Sequence, residues 1–218
     1  MKLHLLLLLC LLTGCVTTGQ VTQKKAEEAD RVHTDLAVLY YTRQQYDIAL
    51  EETKIALKHN GAYARAYAIR ALIHEELGEK EAAESDFKKA KDLDPHYSEN
   101  RTNYGIFLCK ANRFQEALSE FEAALTNPLY NAKGNALLNA GVCAFDHQDM
   151  QKAQNYLLAA LKEDPKPAYA YLMLAKVASV NKRYEDALRW LEQFHKVASP
   201  TPESLALVRQ SLSMIRGK

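Results

Sequence analysis

The chain has 218 residues, enough for one ordinary domain or one short repeat array. Hydrophobic residues make up 48% and charged residues 25%, which excludes a disordered chain, and 28 Lys plus Arg against 27 Asp plus Glu leaves no electrostatic footing for nucleic acid or an anionic membrane surface. Six prolines and eight glycines are too few for the many turns of an all-β fold, so long helices are expected.

Residues 1–14 read as a targeting segment. Lys2 supplies a short basic start, and Leu5 to Leu12 is an apolar run broken only by Cys10. At about 1.5 Å per residue this run is too short to cross a ~30 Å hydrocarbon layer as a helix. It ends in Leu12-Thr13-Gly14-Cys15, which resembles the bacterial lipobox of an aliphatic residue, a small one, Gly or Ala, then Cys. The resemblance implies cleavage before Cys15 and acylation of its sulfur; an ordinary secretory peptide with a chance cysteine is the plainer alternative. Two or three acyl chains, at ~0.8 kcal/mol per buried methylene, anchor a protein stably. Val16 stands where lipoproteins retained in the inner membrane carry Asp, which implies a lipid-anchored place on the periplasmic side of the outer membrane. Residues 15–29 read as the lipidated tether and the start of a helix.

Beyond the tether the sequence repeats itself. Small residues recur at Ala37, Ala71, Gly105, Gly141 and Ala175, in steps of 34, 34, 36 and 34. Ala49, Ala83, Ala117, Ala153 and Ala187 keep the same steps, as do Ala56, Ala90, Ala124, Ala160 and the departing Phe194. Three residues before that last series stand Thr53, Phe87, Phe121, Leu157 and Leu191, and Pro95, Pro128 and Pro165 close units two, three and four. Two helices cross closely only where one side chain admits the other's backbone. The large residue four positions after each alanine of the second series shares its helix face and fills the gap toward the next unit. These series resemble the tetratricopeptide repeat, a helix-turn-helix unit of about 34 residues. The fold expected is all-α, a right-handed superhelical tetratricopeptide-repeat solenoid over residues 30–218. Its five full repeats fall at about 30–63, 64–97, 98–133, 134–167 and 168–201. Residues 202–218 open on Pro202-Glu203 and continue Leu205, Val208, Leu212, Ile215 at helical spacing, a helix expected to cap the last open face.

Catalytic chemistry is not expected. No two of the seven histidines stand at metal-ligand spacing on one helix. His74-Glu75-Glu76 opens like a zincin motif, but residue 78 is Gly. No phosphate-binding glycine loop and no Gly-x-Ser-x-Gly occurs, so no enzyme, cofactor, metal or small-molecule substrate is expected. Cys10 leaves with the leader and Cys15 takes the lipid. Cys109 and Cys143 remain, both on first helices of adjacent repeats, and the oxidising periplasm permits a disulfide between them. Two small buried thiols are the alternative.

The repeat resemblance implies that positions two, five, six, nine, twelve and thirteen of each first helix face an inner groove. These positions supply Thr34, Val38 and Tyr41 in unit one, and Arg65, Ala68, Leu72, Glu75 and Glu76 in unit two. Units three and four supply Thr102, Asn103, Ile106 and Leu138, Asn139, Val142, Phe145, and unit five Tyr169 and Leu172. Val38, Tyr41, Leu72, Ile106, Val142 and Phe145 would form an apolar strip of the kind that marks a binding surface. Asn103 and Asn139 occupy equivalent positions, and an amide both donates to and accepts from a peptide backbone. The basic clamp for a C-terminal carboxylate is missing, with Thr34 in place of Lys and Val38 in place of Asn.

Units three and four carry a more specific signal: Asn103-Tyr104-Gly105-Ile106-Phe107-Leu108-Cys109, then Asn127-Pro128-Leu129-Tyr130, then Asn139-Ala140-Gly141-Val142-Cys143. With the lipobox and the repeats in the same order, this run resembles the PilW/PilF type IV pilus lipoproteins. His59-Asn60-Gly61 in place of a proline stop, and Phe194 in place of Ala, depart from the pattern. The resemblance implies a pilotin, which escorts the secretin subunit of the type IV pilus machinery or helps it form stable multimers. The competing expectation is a general envelope scaffold for outer-membrane protein assembly or wall synthesis.

Overall fold

A computed structural model describes residues 29–164 and 168–217. The lipobox with Cys15, the tether up to residue 28 and the Pro165 stop lie outside the described residues. Eleven helices and no strand occur among the described residues: α1 (29–42), α2 (Tyr46–His59), α3 (Ala64–Glu76), α4 (Lys80–Leu93), α5 (Ser98–Lys110), α6 (Phe114–Leu125), α7 (Lys133–Asp146), α8 (Met150–Glu163), α9 (Ala168–Val180), α10 (Tyr184–Val197) and α11 (Pro202–Arg216). They alternate as first and second helices of five repeats plus a final helix, an all-α tetratricopeptide-repeat solenoid. The chain divides into two compact units between repeats two and three, one ending at Pro95 and one beginning at His96.

The recurring small residues sit where the spacing requires. Ala49, Ala83, Ala117, Ala153 and Ala187 are fully buried, as are Thr53, Phe87, Phe121 and Leu157, with Leu191 at 1% exposure. In repeats three and four the approach is tightest. A Cβ on Gly105 would stand 2.8 Å from the Phe121 ring, and one on Gly141 would stand 2.7 Å from Leu157 Cγ and 3.2 Å from the Leu157 backbone nitrogen.

Each repeat also turns in the same way. The residue at position fifteen adopts a left-handed conformation every time: Gln44, Gly78, Asn112, Gln148 and Lys182, with φ between 58° and 77°. The N–H that follows reaches back five residues to a carbonyl, as from Glu79 to His74 at 2.9 Å and from Arg183 to Ala178 at 2.8 Å. This is the double-bonded helix stop that usually selects glycine. Only repeat two uses one; the other four accept a strained residue, at about 1–2 kcal/mol for a side chain other than Asn.

In the first unit, α2 packs on α3 and α3 on α4. Arg70 on α3 forks onto Asp86 on α4 at 2.6 and 2.8 Å. Asn60 replaces the missing proline stop of repeat one, its Oδ1 accepting from the Ala62 N–H at 3.0 Å.

In the second unit, Ala144, Ala153, Leu157, Ala170, Met173, Leu174 and Val177 form the main core. The two-residue insertion of repeat three is pinned by Tyr130, which is 6% exposed and packs with Ala124 and Ala136. The hydroxyls of Tyr130 and Thr102 share a hydrogen bond at 3.0 Å. Phe194, the large residue in the alanine series, joins Leu172, Ala175 and Leu191 in a cluster that meets α11 through Leu207 and Val208.

The face of α11 differs from the expected one. Leu205 and Leu212 are 45% and 39% exposed, whereas Ser204 and Ser211 are fully buried. Small serines let this helix settle close to its neighbours, so the seam runs through Ser204, Leu207, Val208 and Ser211 instead of the leucines. The start of α11 is fixed by a capping box, Thr201 Oγ1 accepting from the Ser204 N–H at 3.1 Å and Ser204 Oγ from the Thr201 N–H at 3.0 Å, with Pro202 following.

Gly141→Ala is expected to lower unfolding free energy by about 1–2 kcal/mol in urea, because overpacking outweighs the gain in helix propensity. Gly134→Ala meets Glu163 Cβ at 3.5 Å and two atoms at 3.8 Å, all ordinary van der Waals contacts, and is expected to be neutral or slightly stabilising. Equal losses in the two variants would show that the Gly141 contact relaxes freely.

Candidate functional site

Residue exposure sorts the candidate groove positions into rows. Position five is an inner packing position. Thr34 and Ala68 are 0% and 1% exposed, Thr102 5% and Leu172 4%. Thr34 therefore does not line a groove, and its hydroxyl is spent on the Asp30 carbonyl of its own helix at 2.8 Å. Thr102 and Leu172 are withdrawn on the same ground. Leu138, at the same position, is half-buried on the main core of the second unit.

Positions nine and twelve behave differently. Position nine holds Val38, Leu72, Ile106, Val142 and Lys176, all half-buried. Position twelve holds Tyr41, Glu75, Cys109, Phe145 and Ser179, again all half-buried. A side chain with one flank packed and the other wet is what a docking surface needs, because little ordering is left to do on binding.

In the first unit, the Tyr41 ring packs on Tyr46 with centroids 5.9 Å apart and planes tilted by 54°. Burial, reinforced by the carboxylates of Glu76 and Glu75, pushes the Tyr41 phenol up to about 12. Arg65 on α3 pairs with Asp35 on α1 at 2.7 Å, so position two is occupied by a cross-repeat ion pair.

In the second unit, Asn103 is half-buried and its amide has no hydrogen-bond partner among the described residues. Asn139 is also half-buried, and its amide donates to the Asn135 carbonyl of its own helix at 2.9 Å. Val142 and Phe145 rest on the main core. Phe145 also opens onto a cleft of ≈ 290 Å³ with Lys176, Ser179, Val180, Leu207 and Gln210. This extension went unread in the sequence, although positions nine, twelve and thirteen of unit five are Lys176, Ser179 and Val180. Leu207 and Gln210 lie on the final helix, outside the five repeats.

Cys109 and Cys143 are joined in a disulfide with Cα atoms 5.9 Å apart. Cys143 is 2% exposed and Cys109 is half-buried in the position-twelve row. His147, one turn beyond Cys143, brings Nδ1 to 3.9 Å from each sulfur and to 3.0 Å from the Cys143 carbonyl. Phe114 stacks on its ring at 4.7 Å and 7°. A search restricted to pairs of histidines misses His147; the signal is Cys143-x-x-x-His147, a cysteine and a histidine on one helix face. No helix among the described residues is long and apolar enough to cross a membrane.

Tetratricopeptide-repeat family models match residues 34–98 and 108–153, and residues 144–210. The type IV pilus assembly protein PilF of Pseudomonas aeruginosa is 25% identical over 200 residues, which cover 90% of this chain and 79% of PilF. The solved structure of Pseudomonas aeruginosa PilF superposes with a TM-score of 0.81 at 21% identity, covering 88% of this chain and 86% of that one. The crystal structure of PilW, a widely conserved type IV pilus biogenesis factor, superposes with a TM-score of 0.79 at 27% identity and covers 86% of each chain.

The raised Tyr41 phenol makes a pH-dependent contribution to stability. Its folded value lies above the ordinary 10.0, so the contribution is fully present below pH 10.0 and is lost as the pH rises toward about 12. Phenolate absorbance of the folded protein should lose a component with a midpoint of about 12 in Tyr41→Phe. An unchanged titration in that variant would mean that Tyr41 is more solvated than its packing on Tyr46 implies.

Proposed function

The chain belongs to the tetratricopeptide-repeat family, and we propose that it is an outer-membrane lipoprotein of type IV pilus biogenesis that binds the secretin subunit and assists its assembly into stable multimers. The observation that carries this reading is the extent of the likeness to PilF, 90% of this chain against 79% of PilF, so that the whole array and not one repeat is shared. On this reading the protein is a binding module and not an enzyme.

The half-buried rows support it physically. In the second unit Ile106, Val142 and Phe145 offer apolar flanks, and the amides of Asn103 and Asn139 stand one repeat apart. An extended segment laid across them gains apolar burial at about 25 cal/mol per Å² and hydrogen bonds to its backbone that do not depend on its side chains. A secretin subunit before assembly carries strand edges without partners, which pair wrongly unless covered. In the first unit Val38, Tyr41, Leu72 and Glu75 form the corresponding rows, Tyr41 supplying the aromatic anchor of the kind that dominates interface energetics. Acylated Cys15 holds the complex to the membrane into which the secretin inserts.

Deleting the gene is expected to abolish pili and to deplete heat- and detergent-resistant secretin multimers while secretin monomer persists. A general envelope defect with normal multimers would instead make the chain a scaffold for outer-membrane protein assembly or wall synthesis. The double variant Asn103→Ala/Asn139→Ala should keep its thermal midpoint within a few degrees and lose multimers; wild-type multimer levels would remove the second unit from the binding surface. Cys15→Ala should fold and leave the membrane fraction, and its retention there would remove the lipid from the account.

A further inference from the structure

We propose that the dithiol form of this protein binds one thiophilic cation of the Zn²⁺ kind on Cys109, Cys143 and His147. The ligand atoms of these three residues lie within 4.8 Å of one another. The placement of the imidazole is the telling feature. Its Nδ1 is 3.9 Å from Cys109 Sγ and 3.9 Å from Cys143 Sγ, so it lies on the plane that bisects the S–S bond. A nitrogen that shares a metal with two sulfurs must be close to it.

The distances agree with that chemistry. Zinc bonds of about 2.3 Å to sulfur and about 2.0 Å to nitrogen, set tetrahedrally, place the sulfurs about 3.8 Å apart and each sulfur about 3.5 Å from the nitrogen. The sulfur-to-nitrogen separation is nearly there already. Only the two bridged sulfurs have to part. Cleaving the bridge releases that separation.

The ring is held ready for it. Phe114 stacks on one face of the imidazole, and its Nε2 is buried with no hydrogen-bond partner among the described residues. Stacking and one contact to the Cys143 carbonyl therefore set its orientation. Two thiolates and an imidazole are the donor set that selects soft cations over magnesium or calcium. Cys109, in the half-exposed position-twelve row, supplies the entry path and leaves a fourth coordination position for water or a partner's donor.

The chemistry balances. A dithiol reductant gives two electrons and two protons to the Cys109–Cys143 bond and leaves as its own disulfide. Zinc then displaces the two thiol protons into solvent and takes Nδ1 in place of its proton, which moves to Nε2. The newly made chain, before its bridge forms, holds the same two thiols without any reductant.

The test uses the full chain, reduced with a phosphine under argon, freed of phosphine, and dialysed against Zn²⁺ alone. The wild type should bind one more zinc per chain than the Cys109→Ser/Cys143→Ser double variant, which retains Cys10 and Cys15. Reoxidation should release that zinc, and His147→Ala should weaken its binding by at least about tenfold. Equal binding by the wild type and the double variant, or by His147→Ala, overturns the proposal. Co²⁺ provides a reading on the unmutated protein: thiolate charge-transfer and tetrahedral ligand-field bands are expected in the reduced chain. Their absence, whether or not the reduced chain keeps its helical circular dichroism, overturns it equally.

Discussion

The array depends on how closely the two helices of a repeat approach. At position eight the first helix offers alanine or glycine, and the second helix lays a large side chain over it. Where that residue is glycine, Phe121 or Leu157 already occupies the volume that a single methyl would take. Crossing distance follows from side-chain size at the crossing, so this one position sets how far apart the remaining residues stand. The half-exposed rows at positions nine and twelve follow from it: with position eight locked inward, these two, turned about 100° and about 40° from it round the helix, are left at the boundary between core and water.

The second unit adds a covalent tie to this frame. Cys109 and Cys143 are 34 residues apart in sequence, and closing a loop of that length in the unfolded chain is worth about 3–4 kcal/mol in the chain-entropy account. The tie spans the two-residue insertion, which shifts the repeat register between the two cysteines. They bridge although they hold different positions in their repeats, twelve and ten. Tyr130 anchors the same insertion from the other side through its bond with Thr102.

The repeat count, the helix pairing and the small-residue seams were legible because they rest on period and volume, which a sequence displays directly. Three things were not. Thr34 stands at position five, which the repeat resemblance turns toward the groove, but its hydroxyl satisfies itself on the Asp30 carbonyl and so tolerates full burial. Helical spacing puts Leu205 and Leu212 on the seam of the last helix, whereas the close neighbour takes the adjacent face with Ser204 and Ser211. The left-handed turns at Gln44, Gln148 and Lys182 carry no composition signal at all. There the tertiary frame imposes a conformation that local preference opposes, and only the hydrogen bonds back across the turn reveal it.

The pairs that join the two helices of a repeat through positions four and twenty-three are chemically private. His33 meets Glu52 at 2.7 Å in repeat one, Arg101 meets Glu120 at 2.7 Å in repeat three, and Tyr171 meets Trp190 with ring centroids 6.2 Å apart in repeat five. All three pairs join positions four and twenty-three. Chimaeras cut between repeats therefore carry each pair whole, whereas chimaeras cut within a repeat separate them. A first helix from repeat five, grafted before the second helix of repeat three, would set a tyrosine against Glu120, a carboxylate only 9% exposed that expects a guanidinium. The unit that can be duplicated, exchanged or shuffled is thus the helix pair beginning at position one, and recombination inside it mismatches the chemistry of positions four and twenty-three.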